Sequence, residues 1–79
     1  MRIHVQYFAI LREQARRADE LRETSASTPG ALYAELQAAH GLSLPATLLR
    51  VAVNEEFCGW DTPLAEGDRV VFIPPVAGG

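Results

Sequence analysis

Only one stretch of this 79-residue chain has helical spacing long enough to cover a sheet, and that limits the fold to one helix laid on one sheet face. Thr28 is placed to cap it, and Pro29 suits the first turn, where a missing N–H costs nothing. Leu32, Leu36 and Ala39 then repeat at helical spacing, with Ala31, Ala34 and Ala38 between them. Gly41 fits a left-handed end. His40 lies in the last turn and is read as a capping residue, because a cation is favoured at the negative end of a helix. A second helical stretch, from Phe8 to Arg17, is short. Phe8, Leu11 and Ala15 share its apolar stripe, while Arg12, Glu13, Arg16 and Arg17 face water.

The remaining periodicity is that of strands. From Arg2 to Phe8, Ile3, Val5 and Tyr7 fall on one face and His4, Gln6 and Phe8 on the other. Asp19 to Thr24 reads as a short exposed strand with Leu21 its only large apolar residue, and Ser25 to Gly30 as the loop into the main helix. After an apolar connection from Leu42 to Leu49, broken by Pro45, Arg50 to Asn54 forms a strand that turns at Glu55-Glu56. Phe57 to Trp60 returns as another. Turns follow at Asp61–Leu64 and Ala65–Asp68, with Gly67 free to adopt a positive φ. Arg69 to Ile73 is apolar throughout after Arg69, which predicts a central strand buried on both faces. The expected class is α+β, a mixed sheet with one main helix on one face.

The last strand runs straight into Pro74-Pro75, which cannot extend a ladder and favour a stiff, extended path. Val76, Ala77, Gly78 and Gly79 complete the chain. The expected division is a domain over 1–73 and a flexible, protruding tail over 74–79 whose six residues reach roughly 20 Å when extended. Two residues without side chains let the backbone enter a channel that a Cβ would block, and they leave the Gly79 carboxylate unhindered.

Composition excludes several functions. A formal charge of −3 argues against a nucleic-acid partner, which requires a basic face. One cysteine, Cys58, permits no internal disulfide, and without a basic neighbour in sequence it reads as a small packing residue. No apolar run approaches membrane-spanning length, so a cytoplasmic protein with no membrane partner is expected. Asp61, Glu66 and Asp68 lack the spacing of a calcium loop, and His4 reads as an ordinary strand residue. Glu55-Glu56 reads as a solvated hairpin. All seven basic side chains are arginine, so the chain has no lysine amine to attack an activated C-terminus. No constellation marks the chain as an enzyme on its own.

Four segments carry a family resemblance: Tyr7-Phe8-Ala9-Ile10-Leu11-Arg12-Glu13, Val51-Ala52-Val53-Asn54-Glu55, Leu64-Ala65-Glu66-Gly67-Asp68, and Phe72-Ile73-Pro74-Pro75-Val76-Ala77-Gly78-Gly79. Together they resemble the small, sulfur-carrying subunits of molybdopterin synthase, in the ubiquitin-like β-grasp superfamily. The resemblance implies that Gly79 is adenylated, converted to a thiocarboxylate and delivered to a cyclic pterin in a large catalytic subunit. It implies that Gly78 gives passage, that Pro74, Pro75, Val76 and Ala77 set reach and register, and that Phe72 is a candidate partner anchor. Implied partners are the large subunit, an E1-like adenylating enzyme that consumes ATP, and a sulfur donor, in a complex of two small subunits on a dimer of large ones. No stably bound cofactor or metal is implied. The alternative is a carrier for another pathway, such as thiamine, or a ubiquitin-like protein modifier.

Overall fold

A computed structural model describes residues 1–75 of the chain. The elements in order are β1 (Arg2–Tyr7), α1 (Ala9–Ala15), β2 (Asp19–Glu23), α2 (Pro29–His40), a 3-10 turn (Ala46–Leu48), β3 (Arg50–Val53), β4 (Glu56–Cys58) and β5 (Arg69–Ile73). The five strands form one mixed sheet in the order β2-β1-β5-β3-β4. The first and last strands pair in parallel, with Tyr7 opposite Phe72, and the other neighbours are antiparallel.

α2 supplies the cover the sheet needs. Thr28 accepts the Ala31 N–H at 3.2 Å, and Gly41 closes the helix at φ 69°, its N–H donating to the Gln37 carbonyl. Leu32, Tyr33 and Leu36 pack with Ile3, Val5, Tyr7, Val51, Val70 and Phe72 in one core. Trp60 packs against this core and stacks on Phe72, with centroids 5.9 Å apart and rings 11° from parallel. The Trp60 carbonyl accepts the Gly30 N–H at 2.9 Å, and a Cβ on Gly30 would stand 3.2 Å from that oxygen. A glycine at the helix start thus permits close contact with the Trp60 loop.

The structure corrects four expectations. β5 is central, but Val70 and Phe72 are buried while Val71 and Ile73 are only half-buried. Continuous apolar sequence reflects its middle position, yet α2 covers just one face. Phe8 is 48% exposed instead of lining the α1 stripe, and α1 stops at Ala15 because Arg16 turns left-handed at φ 60°. The chain is still extended at Phe8, so only Leu11 and Ala15 seal this helix to the core. The returning strand ends at Cys58, leaving Trp60 free to turn inward.

His40 is the fourth. Its Nε2 lies 2.8 Å from Glu20 Oε1 instead of meeting a helix carbonyl. The Tyr7 hydroxyl donates to the same carboxylate, and its ring meets the His40 imidazole edge-on. Arg17 and Arg22 lie 3.3 and 3.7 Å from the other oxygen of Glu20. Arg22 also donates to Glu35 at 2.6 Å, and Thr24 donates to Glu35 at 2.7 Å. This network ties β2, the weakest strand by sequence, to α2.

Its charges follow from those contacts. Burial pushes the Glu20 carboxyl up, but hydrogen bonds with Tyr7 and His40 outweigh it and hold the carboxyl below its ordinary range. Hydrogen bonds from Arg22 and Thr24 hold Glu35 low as well. Burial, reinforced by the Glu20 carboxylate, pushes the Tyr7 phenol up, so it serves as a donor.

Candidate functional site at the base of the tail

The exit of β5 defines the site. β5 is bonded on one edge to β1 and on the other to β3, and its last pair places Ile73 opposite Arg50. Pro74 and Pro75 then leave the ladder, Pro74 half-buried and Pro75 exposed. A strand held on both sides gives Pro74 and Pro75 a fixed point of departure.

Around that origin lies an open, mainly apolar groove of about 370 Å³, lined by Leu48, Arg50, Phe57, Ile73, Pro74 and Pro75. Leu48 and Phe57 are 53% and 58% exposed, large values for such apolar side chains. Phe57 is presented by β4, where Asn54 and Glu55 both take positive φ in the tight turn from β3. The Arg50 guanidinium carbon sits 3.9 Å from the Phe57 ring centroid. The register also brings exposed Phe8, next after Tyr7, to the end of the sheet where Phe72 and Ile73 finish β5.

Of the residues singled out from sequence, Pro74 and Pro75 line this groove. Phe72 does not. Its side chain is fully buried between Tyr33 and Trp60, so it has no surface for a partner and acts as core. Inward and outward residues alternate along a strand, and Ile73, half-buried on the outward side, is the β5 residue that lines the groove. Val76, Ala77, Gly78 and Gly79 lie outside the described residues, as does the path of the expected tail beyond Pro75. Cys58 is half-buried against the core, consistent with a packing role.

Two acidic residues of the turns, Glu66 and Asp68, are hydrogen-bonded within the domain. Asp68 accepts from Asn54 Nδ2 at 2.9 Å and from the Ala65 N–H at 2.8 Å, and Glu66 accepts the Arg2 N–H at 2.9 Å. Sequence reasoning missed Leu48, Arg50 and Phe57 as site residues. They come from three different segments, and only the β3–β5 and β3–β4 registers bring them beside the tail.

A five-stranded mixed sheet with parallel terminal strands, a covering helix and an exit at the last strand is the ubiquitin-like β-grasp. The chain belongs to the ThiS family, which matches residues 5–79. It is similar to the molybdopterin synthase sulfur carrier subunit of Escherichia coli (strain K12), with 47% identity over 38 residues, 48% of this chain and 47% of that protein. That match therefore spans about half the length of the relative. A putative molybdopterin converting factor subunit 1 from Pyrococcus furiosus superimposes with a TM-score of 0.79 at 27% identity, over 96% of this chain and 99% of that one. Subunit 1 and 2 of the molybdopterin-converting factor from Helicobacter pylori 26695 have been solved as a protein–protein complex. A chain of that complex aligns with a TM-score of 0.70 at 28% identity, over 100% of both chains. Among the described residues, no helix is long and apolar enough to cross a membrane.

Proposed function

We propose that this chain is the sulfur carrier of molybdopterin synthesis, the small subunit of a two-component synthase acting in the cytoplasm. The observation that carries the reading is the mounting of the C-terminus. A central strand ends at an apolar, solvent-open groove lined by Pro74 and Pro75, and Gly78-Gly79 follow in the sequence. The family match and the two-subunit complex formed by the Helicobacter relative support it.

The chemistry is that of an activated acid. The Gly79 carboxylate attacks the α-phosphorus of ATP on an E1-like enzyme, giving an acyl adenylate and releasing pyrophosphate. Sulfide sulfur from a donor then displaces AMP and leaves a thiocarboxylate, which stays anionic at neutral pH. In the large subunit that sulfur attacks a carbon of the cyclic pterin and displaces an oxygen from it. Water then cleaves the acyl–sulfur bond to restore the carboxylate and leave the sulfur on the pterin. One sulfur moves per cycle, and a dithiolene needs two. The small subunit must therefore leave and be recharged, which calls for a modest interface with its affinity concentrated on the tail and a few anchors. Two small subunits on a dimer of large ones suit that exchange.

Within this scheme Gly79 carries the sulfur and Gly78 allows passage through a narrow entrance. Pro74 to Ala77 set the reach. Leu48, Phe57 and Ile73 form the docking surface at the root of the tail. Reconstitution with the large subunit and precursor pterin tests the reading. The thiocarboxylated chain is expected to yield molybdopterin, and a chain lacking Gly79 to yield none while remaining equally stable. Product formed by the truncated chain would overturn it.

A further inference from the structure

The groove at the tail base is apolar except for one side chain. Among the described residues Arg50 is the only charged one that lines it, exposed at the start of β3. Among the described residues it makes no ion pair, although the chain carries ten acidic side chains. Arg17 and Arg22, by contrast, are engaged with Glu20 and Glu35. Arg50 instead lies over Phe57, with 3.9 Å between its guanidinium carbon and the ring centroid. Stacking occupies the flat face of a guanidinium and leaves its N–H edge available. That edge is a planar fork matched to a carboxylate, and the stack holds it in place before a ligand arrives.

We propose that Arg50, held by Phe57, is the charge-selecting contact of the docking surface and receives a carboxylate that the large subunit places among apolar side chains. This deepens the sulfur-carrier reading and rests on it. Charge and position support this occupant. The chain's net charge of −3 gives no long-range attraction for an acidic group, so any pairing with one is local to Arg50. Arg50 also faces Ile73 across the last β3–β5 pair, one residue before Pro74. A partner that swallows the tail closes over Arg50 and excludes water from it. A guanidinium so covered needs a compensating partner, since an unpaired buried charge is strongly unfavourable, and a carboxylate matches both its charge and its fork. The contact therefore selects as well as binds, because a partner offering a cation or only apolar groups there is rejected.

The test is titration calorimetry of the thiocarboxylated chain with the large synthase subunit from the same organism. It compares wild type, Arg50→Lys, Arg50→Met and Arg50→Glu at two salt concentrations, with thermal midpoints measured on each. Loss of one charge-assisted pair predicts roughly tenfold to hundredfold weaker binding for Arg50→Met. Arg50→Glu is expected to be weaker still, and Arg50→Lys intermediate because it keeps the charge and loses the fork. The salt dependence of wild type should be shallower in Arg50→Met, with midpoints unchanged. Equal affinities across the series would overturn the inference and leave the carrier reading standing. A self-associating chain that Arg50→Glu makes monomeric, with large-subunit affinity unchanged, would also overturn it, by assigning the groove to a second copy. No binding by the wild type would remove the carrier reading and this inference together.

Discussion

Arg50 and Ile73 face each other in the last pair of the β3–β5 ladder, immediately before the chain leaves the sheet at Pro74. The pair sets one cation and one half-buried aliphatic residue at the root of the tail, with Phe57 alongside. Core residue Phe72 lies one position earlier on the same strand. Adjacent residues on β5 thus face opposite ways, Phe72 into the core and Ile73 into the groove.

The contrast between core and groove is measurable. Phe72→Ala should destabilise the fold by about 3–5 kcal/mol, the range for removing a fully buried phenylalanine. Phe57→Ser, at an exposed position, should shift unfolding free energy by only about 0.5 kcal/mol. The same Phe57→Ser change should weaken binding to the large subunit at least about tenfold, as expected of an aromatic anchor. Urea unfolding and calorimetric titration of both variants check the contrast. Similar effects of the two substitutions on stability would contradict it.

The Glu20–Glu35 network predicts an acid limb of stability. Both carboxyls sit below the ordinary value of 4.5 in the folded chain. A depressed folded pKa contributes stability that is fully present above the unfolded value and disappears as pH falls through the folded one. Wild type should therefore lose stability below about pH 4.5 more steeply than Glu20→Gln or Glu35→Gln. At neutral pH each variant should be the less stable protein. Thermal midpoints from pH 7 down to pH 2 give the measurement, and parallel curves would refute the account.

Thr28 offers a local test of how α2 begins. Its hydroxyl oxygen accepts the Ala31 N–H, which no helical carbonyl can reach. Thr28→Ala should cost about 0.5–2 kcal/mol in unfolding free energy, and Thr28→Ser should recover most of it. Docking should be untouched in both, since the cap is not among the groove's lining residues.

Much of this was legible in the sequence because local chemistry and the fold agree there. Thr28, Pro29 and Gly41 bracket α2 as their capping properties require, and the alternation of Ile3, Val5 and Tyr7 marks the inner face of β1. What stayed hidden depends on register and on tertiary partners. The run Val70 to Ile73 looks uniformly apolar, and only the placement of α2 decides that Phe72 is core and Ile73 is surface. His40 carries the signature of a helix end, but the β1–β2 pairing brings Glu20 within its reach. Leu48, Arg50 and Phe57 are unremarkable in their own segments and become a groove only beside Pro74. The role proposed for Gly78 and Gly79 rests on residue type alone, on the absence of side chains, and those two residues lie outside the described structure.

The most direct test of the central claim is the intact mass of the purified chain after incubation with ATP, its adenylating enzyme and a sulfide source. The account predicts a gain equal to the exchange of one oxygen for sulfur, absent without ATP and absent when Gly79 is deleted. An unchanged mass, with the same enzyme shown to charge a control carrier, would contradict it.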